Sequence, residues 1–415
     1  MKRINTLIPF LTLTLACVTT SAQSLRGAWI VCTRDLELRE TLIDQFDERE
    51  LVLRNEYGIR SSVPLSEVLF VVRNEQAQVI DSEDIAGAPM PEPSPVRLIT
   101  LSDGQVVRGS IIEPDIPDEL AISLIAGRNI HGEAHIPLER VLRINDQDTD
   151  RTVGTRNEEL RDDLVVTRNG DRIVGFVETV GPTTMIDQQS GGGLEIETAR
   201  IESILIANEL EPEPGVYMSF SDRENLRANM VNYEAQQPIT IEVDATSLGL
   251  NDTGNSIWVF DAGSLQSLIV IEPQTRVIGL SDLKPTSIEP TGDGDWSPAP
   301  TVSGQSVAHP ALRGIDLHSP VRVTYALPEG ASRFAASFET PIEQWTDCVV
   351  RVIGKSTTGD TVLFEQRFNR ESPTAELNVR IPSSANELVI EIDPGENGPI
   401  QDRVLLHRPR LLIQG

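Results

Sequence analysis

The sequence predicts an all-β protein in which small barrels repeated in tandem are followed by a separate C-terminal sandwich, and three observations carry that prediction. Apolar and polar residues alternate with period two, as in Val321, Val323, Tyr325, Leu327 and in Leu388, Ile390, Ile392, while no long stretch keeps a helical period. Gly and Pro punctuate these runs at the short intervals of hairpins rather than of βαβ units. The chain also repeats itself: Asp103-Gly104-Gln105-Val106-Val107-Arg108-Gly109 matches Asn169-Gly170-Asp171-Arg172-Ile173-Val174-Gly175, with equal spacing between the glycines.

At the N terminus, Met1-Lys2-Arg3 precedes an apolar stretch from Ile4 to Val18 and a Thr20-Ser21-Ala22 close before Gln23. That is the charge, core and small-residue cut of a signal peptide, so residues 1–22 are set apart from the fold, and a secreted, periplasmic or cell-envelope location in a bacterium is expected. A lipoprotein signal at Cys17 is the minor alternative, since Thr14 stands where such signals usually carry Leu. No later run of eighteen or more apolar residues follows, so no membrane span is expected. About 390 residues then remain, more than one domain. The formal charge is −28, and loss of Lys2 and Arg3 takes it to −30, a field that repels phosphate backbones and sets nucleic acid aside as a partner. Cys32 and Cys348 are too few for a disulfide framework; buried thiols are favoured over one long-range bridge.

In each matched segment the first glycine fits a tight hairpin turn, and the second fits a bent strand where a side chain would clash. A second phrase closes each copy. Ile136-Pro137-Leu138-Glu139-Arg140-Val141-Leu142-Arg143-Ile144 corresponds to Ile196-Glu197-Thr198-Ala199-Arg200-Ile201-Glu202-Ser203-Ile204, and Val63-Pro64-Leu65-Ser66-Glu67-Val68-Leu69-Phe70-Val71 repeats it upstream. Copies at 23–86, 95–146 and 160–208, with a degenerate fourth at 214–281, resemble SH3-like or Sm-like small β-barrels, in which the phrase before the last strand is a short helical turn. Pro-rich or highly charged stretches at 87–95, 145–163 and 209–215 read as linkers.

After a Pro-, Thr- and Asp-rich lead-in the block 285–415 lacks the repeat phrase. Strands predicted near 314–318, 321–327, 333–338, 348–353, 361–368, 375–381, 387–392 and 403–412 spell an eight-stranded sandwich or jelly roll. The phrase Gly314-Ile315-Asp316-Leu317-His318-Ser319-Pro320, the Tyr325-x-Leu327 strand, Phe334-x-Ala336-x-Phe338 and the late Asp393-x-Gly395 loop resemble the NPCBM family of carbohydrate-binding modules over about 130 residues. The resemblance implies a galactose-binding-like β-sandwich that faces a glycan and supplies no chemistry of its own. The sequence departs from the pattern at 341–346, in place of a Gly-rich turn, and at 402–407, a reduced acidic-His close.

Candidate chemistry is sparse. His131-Gly132-Glu133-Ala134-His135 looks like a zinc motif, yet four residues of extended chain separate its imidazoles by about 13 Å, too far for one ion. No strained Gly-x-Ser-x-Gly turn marks a nucleophile, and carboxylates are too abundant for any pair to stand out. His318 and Asp316, at the start of the sandwich, read as a structural hydrogen-bonded pair or as ligand contacts. Sugar binding calls for an aromatic platform under the apolar face of a pyranose, for which Trp345 and Trp296 are the candidates, whereas Trp29 and Trp258 fall in strand patterns and read as core. Asp393, Glu396 and Asp402 lie on one loop and offer hard oxygens for calcium; no other cofactor is expected. The sequence thus predicts a non-catalytic modular protein whose sandwich binds carbohydrate or a glycosylated surface. The rivals are a structural envelope component that contacts other envelope proteins through sheet edges and an accessory subunit of a polysaccharide-degrading system.

Overall fold

The computed structural model describes residues 29–74, 96–127, 130–146, 161–188, 191–235, 237–250, 255–291, 298–304, 309–341, 345–395, 398 and 402–415. The expected signal peptide, Trp296 and Glu396 lie outside the described residues. Within them the fold is all strand joined by short 3-10 turns.

The first barrel runs Trp29–Thr33, Leu38–Phe46, Glu50–Arg54, Arg60–Pro64 and Val68–Arg73. Its first four strands pair antiparallel in sequence, and after a 3-10 turn at Leu65–Glu67 the fifth returns to the first. Three further sets repeat this plan: Val96–Leu101, Val106–Ile111, Glu119–Ala126, Ile130–Pro137 and Val141–Asp146; Asp163–Thr167, Arg172–Val180, Thr183–Gln188, Gly192–Glu197 and Ile201–Leu205; and Gly215–Phe220, Asn225–Glu234, Ile239–Asp244, Asn255–Phe260 and Leu265–Ile271. The closing phrase makes the turn for a local reason. Pro64 and Pro137 sit at φ −55, their ring fixes that angle, and the following Leu65 or Leu138 drops into the core. Both glycines of the repeat behave as their spacing requires. Gly104 and Gly170 take φ of +88 and +90 in hairpin turns. A Cβ on Gly109 or Gly175 would stand 2.7 or 2.5 Å from the carbonyl oxygen of Ser123 or Asp187 on the adjoining strand.

The barrels are not independent beads. The closing strand of the first pairs with that of the fourth (Val72 with Ser267, Phe70 with Ile269), and the closing strand of the second with that of the third (Arg143 with Leu205, Asn145 with Ser203). Arg97, 2% exposed, plugs the junction of the second and third, donating to the carbonyls of Ile201 and Thr198 at 2.9 Å and pairing with Asp146. Tyr217 of the fourth donates to the Asp103 carbonyl of the second at 2.7 Å. One apolar core, with Trp29 and Trp258 inside it, runs through all four.

The sandwich contains all eight strands expected, Gly314–His318, Val321–Ala326, Ala331–Glu339, Cys348–Ser356, Gly359–Phe368, Thr374–Arg380, Glu387–Pro394 and Arg403–Gln414. They form two antiparallel sheets that take Thr275–Gly279, Ser287–Glu289 and Thr301–Ser303 as additional strands. A core of Phe334, Phe338, Phe368, Tyr325 and aliphatic residues lies between the sheets. A third apolar cluster fuses sandwich to first barrel: Ile30, Cys32, Leu36, Phe70 and Val72 meet Ala311, Leu312, Ala335 and Leu412. His309 stacks on Phe70 with ring centroids 4.2 Å apart, and Arg410 donates to the Leu36 carbonyl. This is why Trp29–Thr33 and the first five residues of Val68–Arg73 are buried throughout, as near-continuous apolar runs: one face lines a barrel and the other meets a neighbour.

Candidate functional site

Three chain segments converge at one end of the sandwich: the end of Gly314–His318, the loop leading into Cys348–Ser356, and the loop leading into Arg403–Gln414. Backbone and carboxylate bonds tie them. The Ser319 amide donates to the Asp402 carbonyl at 3.0 Å, the Asp347 amide donates to Asp402 Oδ1 at 2.9 Å, and the Gly395 amide donates to the Asp347 carbonyl at 2.6 Å. Only glycine fits at 395, because a Cβ there would stand 2.1 Å from that carbonyl oxygen.

On this frame the Trp345 side chain is held out in solvent, with the residue 77% exposed, while the next two, Thr346 and Asp347, are buried. Arg367 clamps Asp347 with two parallel bonds, Nε to Oδ1 at 2.7 Å and Nη2 to Oδ2 at 2.9 Å, the bidentate geometry that fixes a carboxylate most firmly. The indole therefore projects from an anchored stem.

Asp316 and His318 flank the same end in different roles. Asp316 is buried and receives Arg403 through Nε at 2.9 Å and Nη2 at 2.6 Å, which holds that guanidinium above its usual pKa. His318 is exposed, its Nε2 3.7 Å from Asp316 Oδ1. Asp316 is thus engaged by an arginine that sequence reasoning did not single out, and His318 is the member of the pair that solvent reaches.

Of the acidic residues considered for calcium, Asp393 pairs with Arg351, which also donates to Glu391 at 2.9 Å and Glu365 at 2.6 Å. Asp402 is 2% exposed; burial pushes its carboxyl up to about 6, and its Oδ2, like Ser319 Oγ, is buried without a hydrogen-bond partner. Among the described residues no group of three or more His, Cys, Asp or Glu side chains is gathered as an ion would need.

The arginines that organise this end, Arg351, Arg367 and Arg403, have a visible sequence signal. Each occupies an outward position in an alternating strand facing a carboxylate across or along the sheet. The His131–His135 strand is Ile130–Pro137; His135 Nδ1 lies 3.7 Å from Glu119 and is partly buried rather than on the surface.

No family model and no curated protein matches the chain. Among solved structures the chain is similar to a CBM51 module of a family 95 glycoside hydrolase from Clostridium perfringens in complex with methyl-galactose, at 17% identity and a TM-score of 0.24, over 32% of this chain and 99% of that one. It is similar to tandem CBM51 modules of a family 98 glycoside hydrolase from Streptococcus pneumoniae, at 12% identity and a TM-score of 0.27, over 77% and 88%. It is also similar to a second CBM51 module with adjoining domains of ZmpB from Clostridium perfringens in complex with GlcNAc, at 15% identity and 0.27, over 48% of this chain and 43% of that one. These neighbours are carbohydrate-binding modules, and at such scores no residue of theirs is carried over.

Proposed function

We propose that this protein binds carbohydrate, or a glycosylated surface, through the sandwich end that presents Trp345, and that it does so outside the cytoplasm and without catalysis. The observation that carries the reading is the exposed indole on an anchored stem. An indole holds about 150–250 Å² of surface, worth roughly 4–6 kcal/mol if buried, and leaving it in water beside locked neighbours makes a ready platform for the apolar face of a pyranose. His318 adds a polar group at the same end of the sandwich.

Side-chain environments support a binding role over a nucleophilic one. The thiols of Cys32 and Cys348 are unbridged and buried, with pKa pushed up to about 12 by burial, so neither offers a thiolate at neutral pH. His309 is buried in a domain interface, while His135, His318 and His407 each face a carboxylate. Of the described carboxylates expected to hold calcium, Asp393, in strand Glu387–Pro394, is held by Arg351, and Asp402 keeps Oδ2 buried without a partner. No helix among the described residues is long and apolar enough to cross a membrane.

A glycan array probed with the full chain, once in calcium and once in EGTA, tests the function. Saturable binding to a subset of glycans is expected. Folded protein that binds no glycan in either buffer would contradict the reading.

A further inference from the structure

In each of the four barrels the second strand meets a strand of another barrel. In the first, Phe46 and Gln45 pair with Tyr233 and Glu234 of the fourth. In the second, Val106 pairs with Asn225 of the fourth, and Arg108 meets Asp222 at 3.1 Å and Glu224 at 3.6 Å. In the fourth, that same strand makes both contacts.

In the third, Arg172–Val180 pairs with the second barrel at Val180 with Leu120, and what sets this strand apart is its outer face. The outer face of that strand carries Val174, 54% exposed, and Phe176, 66% exposed, where the repeat register places Arg108 and Ser110 in the second barrel. Phe176 forms one wall of a cleft of about 610 Å³ between the second and third barrels, with Ile116, 52% exposed, also lining it. That volume lies within the range of sites that bury small ligands or side chains.

The charge around the cleft selects its occupant. Asp118, Glu119, Glu139, Asp162 and Glu178 line it against one cation, Arg161. Two lining carboxylates have partners already: Asp163 accepts from the Val177 and Ala207 amides at 2.8 Å, and Glu119 faces His135 Nδ1 at 3.7 Å. With carboxylates in excess over the one lining arginine, charge complementarity favours an occupant that brings a cation. A second copy of so acidic a chain would be repelled.

We propose that the cleft between the second and third barrels docks an arginine-bearing segment of a partner protein, with the aliphatic stem and guanidinium plane of the arginine against Phe176 and its donors among the rim carboxylates. Planar guanidinium stacks on an aromatic face and pairs with carboxylates better than an ammonium does. The site is separate from the sandwich end and stands whether or not glycan binding does.

The test is fluorescence anisotropy of the full chain with a labelled peptide, acetyl-Gly-Ala-Leu-Arg-Leu-Ala-Gly-amide, and its citrulline counterpart, which is neutral and nearly isosteric. Saturable binding of the arginine peptide is expected, at least ten-fold weaker for citrulline, and at least ten-fold weaker for F176A and E178Q. Both substituted residues are exposed, so unchanged melting temperatures show that the variants fold. Raising salt from 50 to 300 mM should weaken arginine binding several-fold. Equal binding of the two peptides, binding that survives F176A, or no binding by folded protein would each overturn the proposal.

Discussion

Two titrating residues carry opposite pH signatures. Asp402 has a carboxyl near pKa 6 when folded, against 3.8 for the ordinary group, with burial as the main cause. The folded state therefore holds that proton more tightly, so the group favours folding fully below about pH 3.8 and loses that contribution as pH rises through about 6. D402N keeps an acceptor for the Asp347 amide and removes the buried charge. Urea denaturation in EGTA should show D402N gaining about 1–3 kcal/mol relative to the parent between pH 4 and 7; a constant difference across that range would contradict the assignment. His309 runs the other way. Burial, reinforced by Arg313, depresses its imidazole to about 4 from 6.5, and its Nδ1 accepts from the Ala311 amide at 3.2 Å, which requires the neutral ring. Stability from His309 is present above pH 6.5 and lost as pH falls towards 4. H309F keeps the stack on Phe70 without the titration, so between pH 6.5 and 4.5 the parent should lose more melting temperature than H309F. Trp345 could be picked out in the sequence as an exposed platform, because it sits between Pro341 and a strand start. The burial of Asp316 and Asp402 could not be read there, because it depends on Arg403 and Asp347 arriving from distant parts of the chain.

Among elements, the clearest sequence signal was the repeat, and it was clear because its glycines answer to backbone geometry. Gly170 needs only a positive φ, whereas Gly175 needs empty space beside the Asp187 carbonyl. G175A should therefore destabilise by about 1–3 kcal/mol through forced backbone movement, and G170A by about 1 kcal/mol or less, as read by chemical denaturation. Equal effects would mean that the close approach is relieved at no cost. The fourth barrel was faint in sequence because a longer insertion around 249–258 interrupts it; its first turn uses Arg223 at φ +70, as the first barrel uses Leu36 at φ +63, and its five strands pair as the others do. What sequence reading passed over was the meaning of continuous apolar runs. Trp29-Ile30-Val31-Cys32 and Val68-Leu69-Phe70-Val71-Val72 do not alternate, and two-sided burial between barrel and sandwich is the reason.

At the scale of the whole molecule, the closing strands nest the barrels in an outer pair, first with fourth, around an inner pair, second with third, and the sandwich is seated on the first. The stretches read as linkers connect barrels whose closing strands pair and whose apolar core is shared. A sandwich cut from its barrels would expose Ala335 and Leu412, so binding experiments belong on the full chain. Its formal charge of −28 disfavours nucleic acid and is compatible with the neutral glycans and cationic segments proposed above. The central claim is that glycan binding resides at Trp345, and the most direct measurement is isothermal titration of the strongest array ligand into the full chain and into W345A. The residue is exposed, so W345A should melt within about 1 °C of the parent; the account predicts that it loses at least ten-fold in affinity. An equally stable W345A that binds the glycan unchanged would contradict it.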